Sequence, residues 1–282
     1  MGRQENIAVF EDTERLCKEN KKLIDSVRKS TAKQKLILEK DVLQEASLDL
    51  YEKQAKVVVS KKRSFEAAGA YKGYKVAVHN FASASNPGGG VVRGANAQEE
   101  CLCRCSGLYF NLSTPLMREG FYNPHRKSQD PLHNDDIIYT PDVIVFKSDT
   151  ATPVLLPEED WFSVDVITCA APNLREQPSN SYNSGDGRKA VKLKDSELMK
   201  LHEKRLRRIL DVAVREGDEV VILGAFGCGV FLNNPETVAR AARNVIPDYL
   251  HAFKTIEYAV YCSPRDDQNY RAFERVLRTF MN

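Results

Sequence analysis

The sequence predicts an α/β protein, a sheet covered by helices on both faces, and three observations carry that prediction. Short, nearly all-apolar runs at 76–81, 164–169, 218–223 and 255–261 recur between amphipathic stretches. Strands apolar on both faces belong to a covered, largely parallel sheet, because a one-sided sheet alternates apolar with polar residues. Two strand–helix junctions hold glycine clusters, and Gly217 stands where a long helical pattern should stop in a left-handed residue.

Residues 1–50 are polar and charged, with Ile7, Val9, Phe10, Leu16, Leu23, Ile24 and Val27 at helical intervals. They read as one or two helices covering a neighbour. A short strand follows at 56–59, and Ser64 with Glu66 opens a short helix. The strand at 76–81 runs into a glycine cluster and then a helix over about 97–108. The strand at 164–169 stops at Ala170-Ala171-Pro172-Asn173, and the polar stretch 178–187 reads as an exposed loop. Ser196 is placed to cap a long helix carrying Leu198, Leu201, Ile209, Leu210 and Ala213. After the strand at 218–223 comes a tight loop at 224–229, and Asn234-Pro235-Glu236 opens a helix with proline in its first turn. A strand at 255–261 and an amphipathic helix at 267–280 complete the chain. There is no internal repeat and no strong linker. The expectation is one compact catalytic domain over 56–282, with a helical extension over 1–55 packed on it.

Composition narrows the class. The 41 basic residues minus 39 acidic ones leave +2, which argues against a general nucleic-acid coat, DNA-specific binding or a polybasic membrane anchor. With 42% hydrophobic and 28% charged residues, a sizeable core is expected and wholesale disorder is not. No apolar run approaches the roughly 18 residues of a bilayer span. The opening residues lack a secretory apolar stretch, and Asn6 breaks the myristoylation pattern. Seven cysteines, an odd number, fit reduced thiols better than a disulfide scaffold. The expected setting is the cytoplasm, with no membrane contact.

The chemistry concentrates at the glycine clusters, Asn86-Pro87-Gly88-Gly89-Gly90 and Gly224-Ala225-Phe226-Gly227-Cys228-Gly229. Glycine tolerates positive φ and lets backbone N–H groups approach an anion with no Cβ in the way. Alone, either cluster is a tight turn. Two such loops at the carboxyl edge of one sheet favour a diphosphate held between them. Neither fits a Walker A loop, since no Gly-Lys-Ser/Thr follows. Separated from Gly90 by seven residues, Gln98-Glu99-Glu100 opens the next helix. Paired acids there are usually a solvated first turn favoured by the helix dipole, but the short tether keeps these two near whatever the glycines hold.

The pattern Gly-Gly-Gly, seven residues, Gln-Glu-Glu resembles the signature of the poly(ADP-ribose) glycohydrolases, and its surroundings look like their bacterial type. Residues 80–87 lead into it and 102–109 lead out in a similar way. Blocks at 138–141, 166–173 and 224–231 match in order, so the resemblance spans roughly 55–282. It implies a macrodomain-like three-layer α/β/α sandwich around a mixed sheet, binding ADP-ribose at the sheet's crest. It also implies metal-independent glycosidase activity that releases ADP-ribose, from chain ends, without a cofactor. By that resemblance Gly88, Gly89 and Gly90 hold the diphosphate with Gly227, Cys228, Gly229 and the following Val230. Glu100 is similar in position to the catalytic acid and Glu99 to the acid orienting the terminal ribose, with Gln98 bracing the turn. Partners would be poly(ADP-ribose) or ADP-ribosylated protein, with ADP-ribose as product. Leu232 departs from the family, which often has glycine there, and would reshape the second loop.

Phe226 and Phe231 are candidates to pack on ribose or adenine, with ordinary core packing the other reading. Ser83 and Asn86 are within reach of the terminal ribose, or serve the turn before Pro87. Cys101, Cys103 and Cys105 fan around a helix and suggest no zinc site. Cys228 reads as small filler. His125 and His133 read as solvated loop residues, and Lys204-Arg205-Leu206-Arg207-Arg208 as a solvated helix face or, less simply, a polyanion contact. The stretch 177–194 reads as a mobile lid or an insertion. The rivals to a hydrolase are a non-catalytic ADP-ribose reader and a Rossmann-like NAD-dependent oxidoreductase. Against the second, neither cluster keeps G-x-G-x-x-G spacing.

Overall fold

The computed structural model describes residues 2–180, 183–263 and 266–281. The chain begins with α1 (Arg3–Glu19), α2 (Lys21–Lys33), β1 (Lys35–Ile37), β2 (Lys56–Ser60), α3 (Ser64–Ala68) and β3 (Val76–Ala82). After the first glycine loop come α4 (Gln98–Cys105), α5 (Leu108–Leu112) and α6 (Pro115–Met117). A π-helical turn then leads into α7 (Asn123–Ser128). The second half holds β4 (Ile137–Val145), β5 (Phe162–Ala170), α8 (Asp195–Glu216), β6 (Val220–Leu223), α9 (Pro235–Val245), β7 (Thr255–Ala259) and α10 (Gln268–Leu277).

Among the described residues the strands form one seven-stranded mixed sheet in the order β1-β4-β5-β3-β6-β7-β2. The run β5-β3-β6-β7-β2 is parallel, while β4 pairs antiparallel with both β5 and β1. The carboxyl ends of β3, β5 and β6 therefore emerge side by side, with the β3 loop in the middle, and this edge is where the glycine clusters lie.

Both faces are covered, as the all-apolar strands require. Val221 and Leu223 point to a cluster containing Ile209 and Leu210 of α8, Val238 of α9 and Phe273 of α10. Val220 and Ile222, one residue out of phase, join Phe10 of α1, Phe65 of α3, Leu102 of α4 and Leu108 of α5. This two-residue alternation places one layer of helices on each side. The predicted α/β/α sandwich is the observed one, with the N-terminal helices present.

Three sequence expectations are corrected. The helix expected over 97–108 breaks at Ser106, whose backbone bridges to Val145, and resumes as α5. The long helix begins at Asp195 with Lys194 as its N-cap, and Glu197 Oε2 accepts from the Lys194 N–H at 2.8 Å, so Ser196 does not cap it. The polar 178–187 stretch is not simply exposed: Asn183, Gly185, Asp186 and Gly187 are buried, while Ser181 and Tyr182 lie outside the described residues. Asp186 explains that burial, accepting from Asn173 Nδ2 at 2.8 Å and Asn183 Nδ2 at 2.5 Å. No helix among the described residues is long and apolar enough to cross a membrane.

Candidate active site

The first turn of α4 is stitched to the end of β3. Gln98 Oε1 accepts from Phe81 N at 2.9 Å, and its Nε2 donates to His79 O at 2.9 Å and Ser64 Oγ at 3.0 Å. A side-chain amide thus extends the sheet's own hydrogen bonding and turns the next two residues over the strand end. Glu99 is only 2% exposed. Its carboxylate accepts from Ser83 N at 2.8 Å and Asn80 Nδ2 at 3.3 Å, with the Gly88 N–H also directed at it. Burial, then the neighbouring Glu100 charge, push its pKa well above the ordinary glutamate range, more than those donors pull it down. Glu100, 7% exposed, accepts from Gly90 N at 2.8 Å through Oε1 and from Ala97 N at 2.9 Å through Oε2. The second bond is half of a capping box, the N3 acid reaching back to the N-cap N–H.

This geometry gives the first glycine cluster a defined job. Gly88 and Gly89 stand at φ +64° and +59°, where a side chain is strained. A Cβ on Gly89 would lie 2.4 Å from Glu100 Oε1, and one on Gly88 would lie 2.8 Å from the Tyr109 ring. The three N–H groups are all engaged: Gly88 with Glu99, Gly89 with Asn86 O at 2.9 Å, and Gly90 with Glu100. The anions cradled here are the protein's own two carboxylates.

The second cluster is arranged differently. Gly227 stands at φ +76°, and a Cβ there would meet Ala171 and the Asn233 amide, each at 2.8 Å. Asn233 is buried, and its Nδ2 faces three carbonyls: Pro172 O at 2.7 Å, Gly227 O at 3.1 Å and Phe231 O at 3.2 Å. Its Oδ1 is therefore the atom that accepts from His202 Nε2 at 2.7 Å. Burial pushes His202 down to about 4, so the ring donates as the neutral Nε2–H tautomer. Among the described residues the N–H groups of Gly229, Val230 and Phe231 have no partner, and a Cβ on Gly229 would meet open space. Consecutive free N–H groups in a bent loop form an anion-binding concavity.

The family model for the microbial-type PARG catalytic domain matches residues 4–148, more than half of the chain and the part that holds both glutamates. The chain belongs to the microbial-type poly(ADP-ribose) glycohydrolases. The glycohydrolase from Thermomonospora curvata is similar at 28% identity and TM-score 0.82, covering 97% of this chain and 100% of that one. Its complex with the inhibitor ADP-HPD matches at 27% identity and TM-score 0.79, over 97% and 99% of the two chains. The Deinococcus radiodurans glycohydrolase in complex with ADP-ribose matches at 33% identity and TM-score 0.75, over 90% and 97%. No curated protein matches the chain. The family match begins at residue 4, so it includes the helices that the sequence alone relates only loosely to this family.

The remaining candidates of this glycohydrolase fall into distinct places. Phe226, within the second loop, is buried among His79, Phe81 and His202, with ring centres 4.4, 5.7 and 5.6 Å away. Phe231 is part-buried, 6.0 Å from the His133 ring. Val230 is exposed at the loop tip. Ser83 Oγ accepts from Asn86 N at 3.2 Å, and Asn86 Oδ1 accepts from Arg126 Nη2 at 2.7 Å, so both shape the turn before the glycines. Cys101, Cys103 and Cys105 are buried, and burial raises each thiol. Cys228 is raised by burial as well. Among the described residues no group of three or more His, Cys, Asp or Glu is arranged to hold a metal ion.

Two readings of charged residues are corrected. His125 and His133 are buried, not solvated: His125 Nδ1 meets Phe121 O at 2.7 Å, and His133 Nδ1 meets Ala171 O at 2.7 Å. His133 Nε2 also lies 3.2 Å from Asp186. Arg205 is not on a solvated face either. It is buried against Asp135 and donates to the carbonyls of Ala170, Leu132 and His133. Sequence reasoning passed over Asn80 and Thr168, polar letters inside apolar strands, Asn233 in the second loop, and His202 on the long helix α8. Tyr122 also went unnoticed, with a buried hydroxyl that feels the Glu99 charge.

Proposed function

We propose that this glycohydrolase cleaves the ribose–ribose bonds of poly(ADP-ribose) from chain ends, releasing ADP-ribose, with Glu100 as the acid and base and Glu99 orienting the terminal ribose. The observation that carries the reading is the pair of buried carboxylates gripped by one glycine loop beside a second loop with free N–H groups. The free N–H groups of 229–231 suit the diphosphate, while Gly88, Gly89 and Gly90 set the acids against the sugar.

Cleavage passes through an oxocarbenium-like state at the anomeric carbon. The bond from that carbon to the departing 2′ oxygen breaks as Glu100 gives the oxygen a proton. Water then adds to the carbon and returns a proton to Glu100. Glu99, buried beside Glu100 and held by the Ser83 N–H and Asn80 Nδ2, hydrogen-bonds a hydroxyl of the terminal ribose and so orients it. The diphosphate on the second loop fixes the substrate, so the acid meets one bond only. The partner is poly(ADP-ribose) or a protein carrying it.

Incubation with labelled poly(ADP-ribose), followed by size separation, tests this directly. Free ADP-ribose should accumulate while long chains persist, and Glu100→Gln should abolish its release. Wild-type protein that binds ADP-ribose without releasing any would make it a reader, and Glu100→Gln with near wild-type turnover would refute the assignment of the acid.

A further inference from the structure

The seven-residue tether between the glycine loop and the acid pair is held from outside by α1. Asn6 Nδ2 donates to Gly94 O at 3.1 Å, and Arg3 Nε donates to Arg93 O at 2.9 Å. Gly94 stands at φ +76°, and a Cβ there would fall 2.3 Å from the Arg3 carbonyl oxygen, so backbone packs on backbone. One helical level on, Phe10 meets Tyr109 edge-on with ring centres 5.0 Å apart. Tyr109 is the ring that closes over Gly88. Thr13 Oγ1 donates to Arg104 O at 2.5 Å, near the far end of α4. From the core side, the buried Lys147 Nζ donates to Val9 O at 2.9 Å and Thr13 Oγ1 at 2.8 Å, and pairs with Asp12 at 2.8 Å. A helix that only covered a sheet would need apolar contacts alone. This one spends buried polar side chains on carbonyls of the tether and of α4.

We propose that α1 is part of the catalytic apparatus, a positioning element that fixes the tether and with it the setting of Glu100 against the glycine loop. The proposal rests on the reading of Glu100 as the acid. Asn6 and Thr13 are then positioning residues, acting through Gly94 and α4. The second loop is held separately, by Asn233 and His202, so loosening α1 should slow the chemical step and leave ligand affinity in place.

The test compares Asn6→Ala, Thr13→Val and Thr13→Ser in the full chain, with Glu100→Gln alongside. Turnover of poly(ADP-ribose), calorimetric binding of ADP-ribose and thermal melting are measured for each. Asn6→Ala and Thr13→Val should lower kcat by about tenfold or more, as expected for a displaced reacting group. KM and ADP-ribose affinity should stay within about twofold of wild type over the same comparison. Thr13→Ser, which keeps the hydroxyl, should restore most of kcat. Unchanged kcat in both disruptive variants would overturn the proposal. So would parallel losses of kcat and affinity that Thr13→Ser does not relieve, which would mark a purely structural helix. If Glu100→Gln turns over normally, the acid assignment is wrong and this proposal falls with it; an inactive Glu100→Gln beside fully active α1 variants sinks this proposal alone.

Discussion

Gly89→Ala would put a methyl carbon 2.4 Å from Glu100 Oε1 and 3.1 Å from Glu99 Oε2. Two costs follow, and they are separable. A non-glycine residue at φ +59° loses about 1–2 kcal/mol of backbone energy. At roughly 2–4 °C per kcal/mol for a chain of this order, melting should fall by about 2–8 °C. The second cost falls on chemistry, because ordinary contact begins near 3.4 Å and the carboxylate must retreat by about an ångström. Retreat breaks its bond to the Gly90 N–H, and misplacement of that size slows a positioned reaction by about a hundredfold. Gly217→Ala is the control: its φ of +79° carries the same backbone cost, yet a Cβ there meets nothing within 4 Å. Both variants should therefore melt a few degrees early, and Gly89→Ala alone should lose kcat on poly(ADP-ribose). If Gly89→Ala kept more than about a tenth of wild-type kcat, or Gly217→Ala lost as much, the glycine would not be serving the acids.

Asn233→Ala removes the amide that faces three carbonyls across the β5 and β6 loops, and ADP-ribose affinity measured by calorimetry should drop about tenfold, with kcat less affected; unchanged affinity would show that the second loop keeps its shape unaided. Leu232 is 63% exposed at φ +58°, so Leu232→Gly exchanges a strained conformation for added chain entropy and should raise melting slightly, by roughly 1–3 °C. A lower melting point would mean that the side chain packs usefully. Asp218 is buried beside Asp165, and burial followed by the Asp165 charge raises it well above the ordinary aspartate range. Because the folded value exceeds the unfolded one, its contribution is fully present below the unfolded value and is lost as pH rises through the folded one. Asp218→Asn should therefore melt higher than wild type at pH 7 and about level with it near pH 4, and a variant less stable at neutral pH would contradict that sign.

The parallel strands were legible because burial on both faces leaves a continuous apolar run that little else in a soluble chain resembles. β4 was not, although 137–145 is mostly apolar, because Pro141 and Asp142 interrupt it as turn residues do. The sheet absorbs them in a register shift between Thr140 and Val143, with Asp142 at φ +56° and its N–H donated to Asp165 Oδ1 at 2.8 Å. β1 was missed for another reason. Three residues at a sheet edge, pairing with β4 alone, carry too few letters for an alternating pattern. His133, Arg205 and Asp186 were read as surface because polar residues usually are. Their burial rests on partners scattered along the chain, such as His133 with Asp186, 53 positions on, and no local pattern announces such a pair.

The glycine loops show how far a motif reaches. In both, the glycines report backbone bent to present N–H groups, and the structure has that bend at Gly88, Gly89 and Gly227. The motif does not report what the N–H groups meet. Beside the first loop, the helix that follows returns two acids within hydrogen-bond reach, so its donors are taken up internally. Beside the second, Asn233 Nδ2 draws three carbonyls together, and the N–H groups of 229–231 have no partner among the described residues. One chemical device thus has two settings at adjacent strand ends, one engaged with the protein's own carboxylates and the other, in the proposed function, taking the diphosphate. That division also makes the experiments informative: a change at Gly89 should appear in kcat and one at Asn233 in affinity. A variant set in which both parameters always moved together would mean the two loops act as a single phosphate site after all.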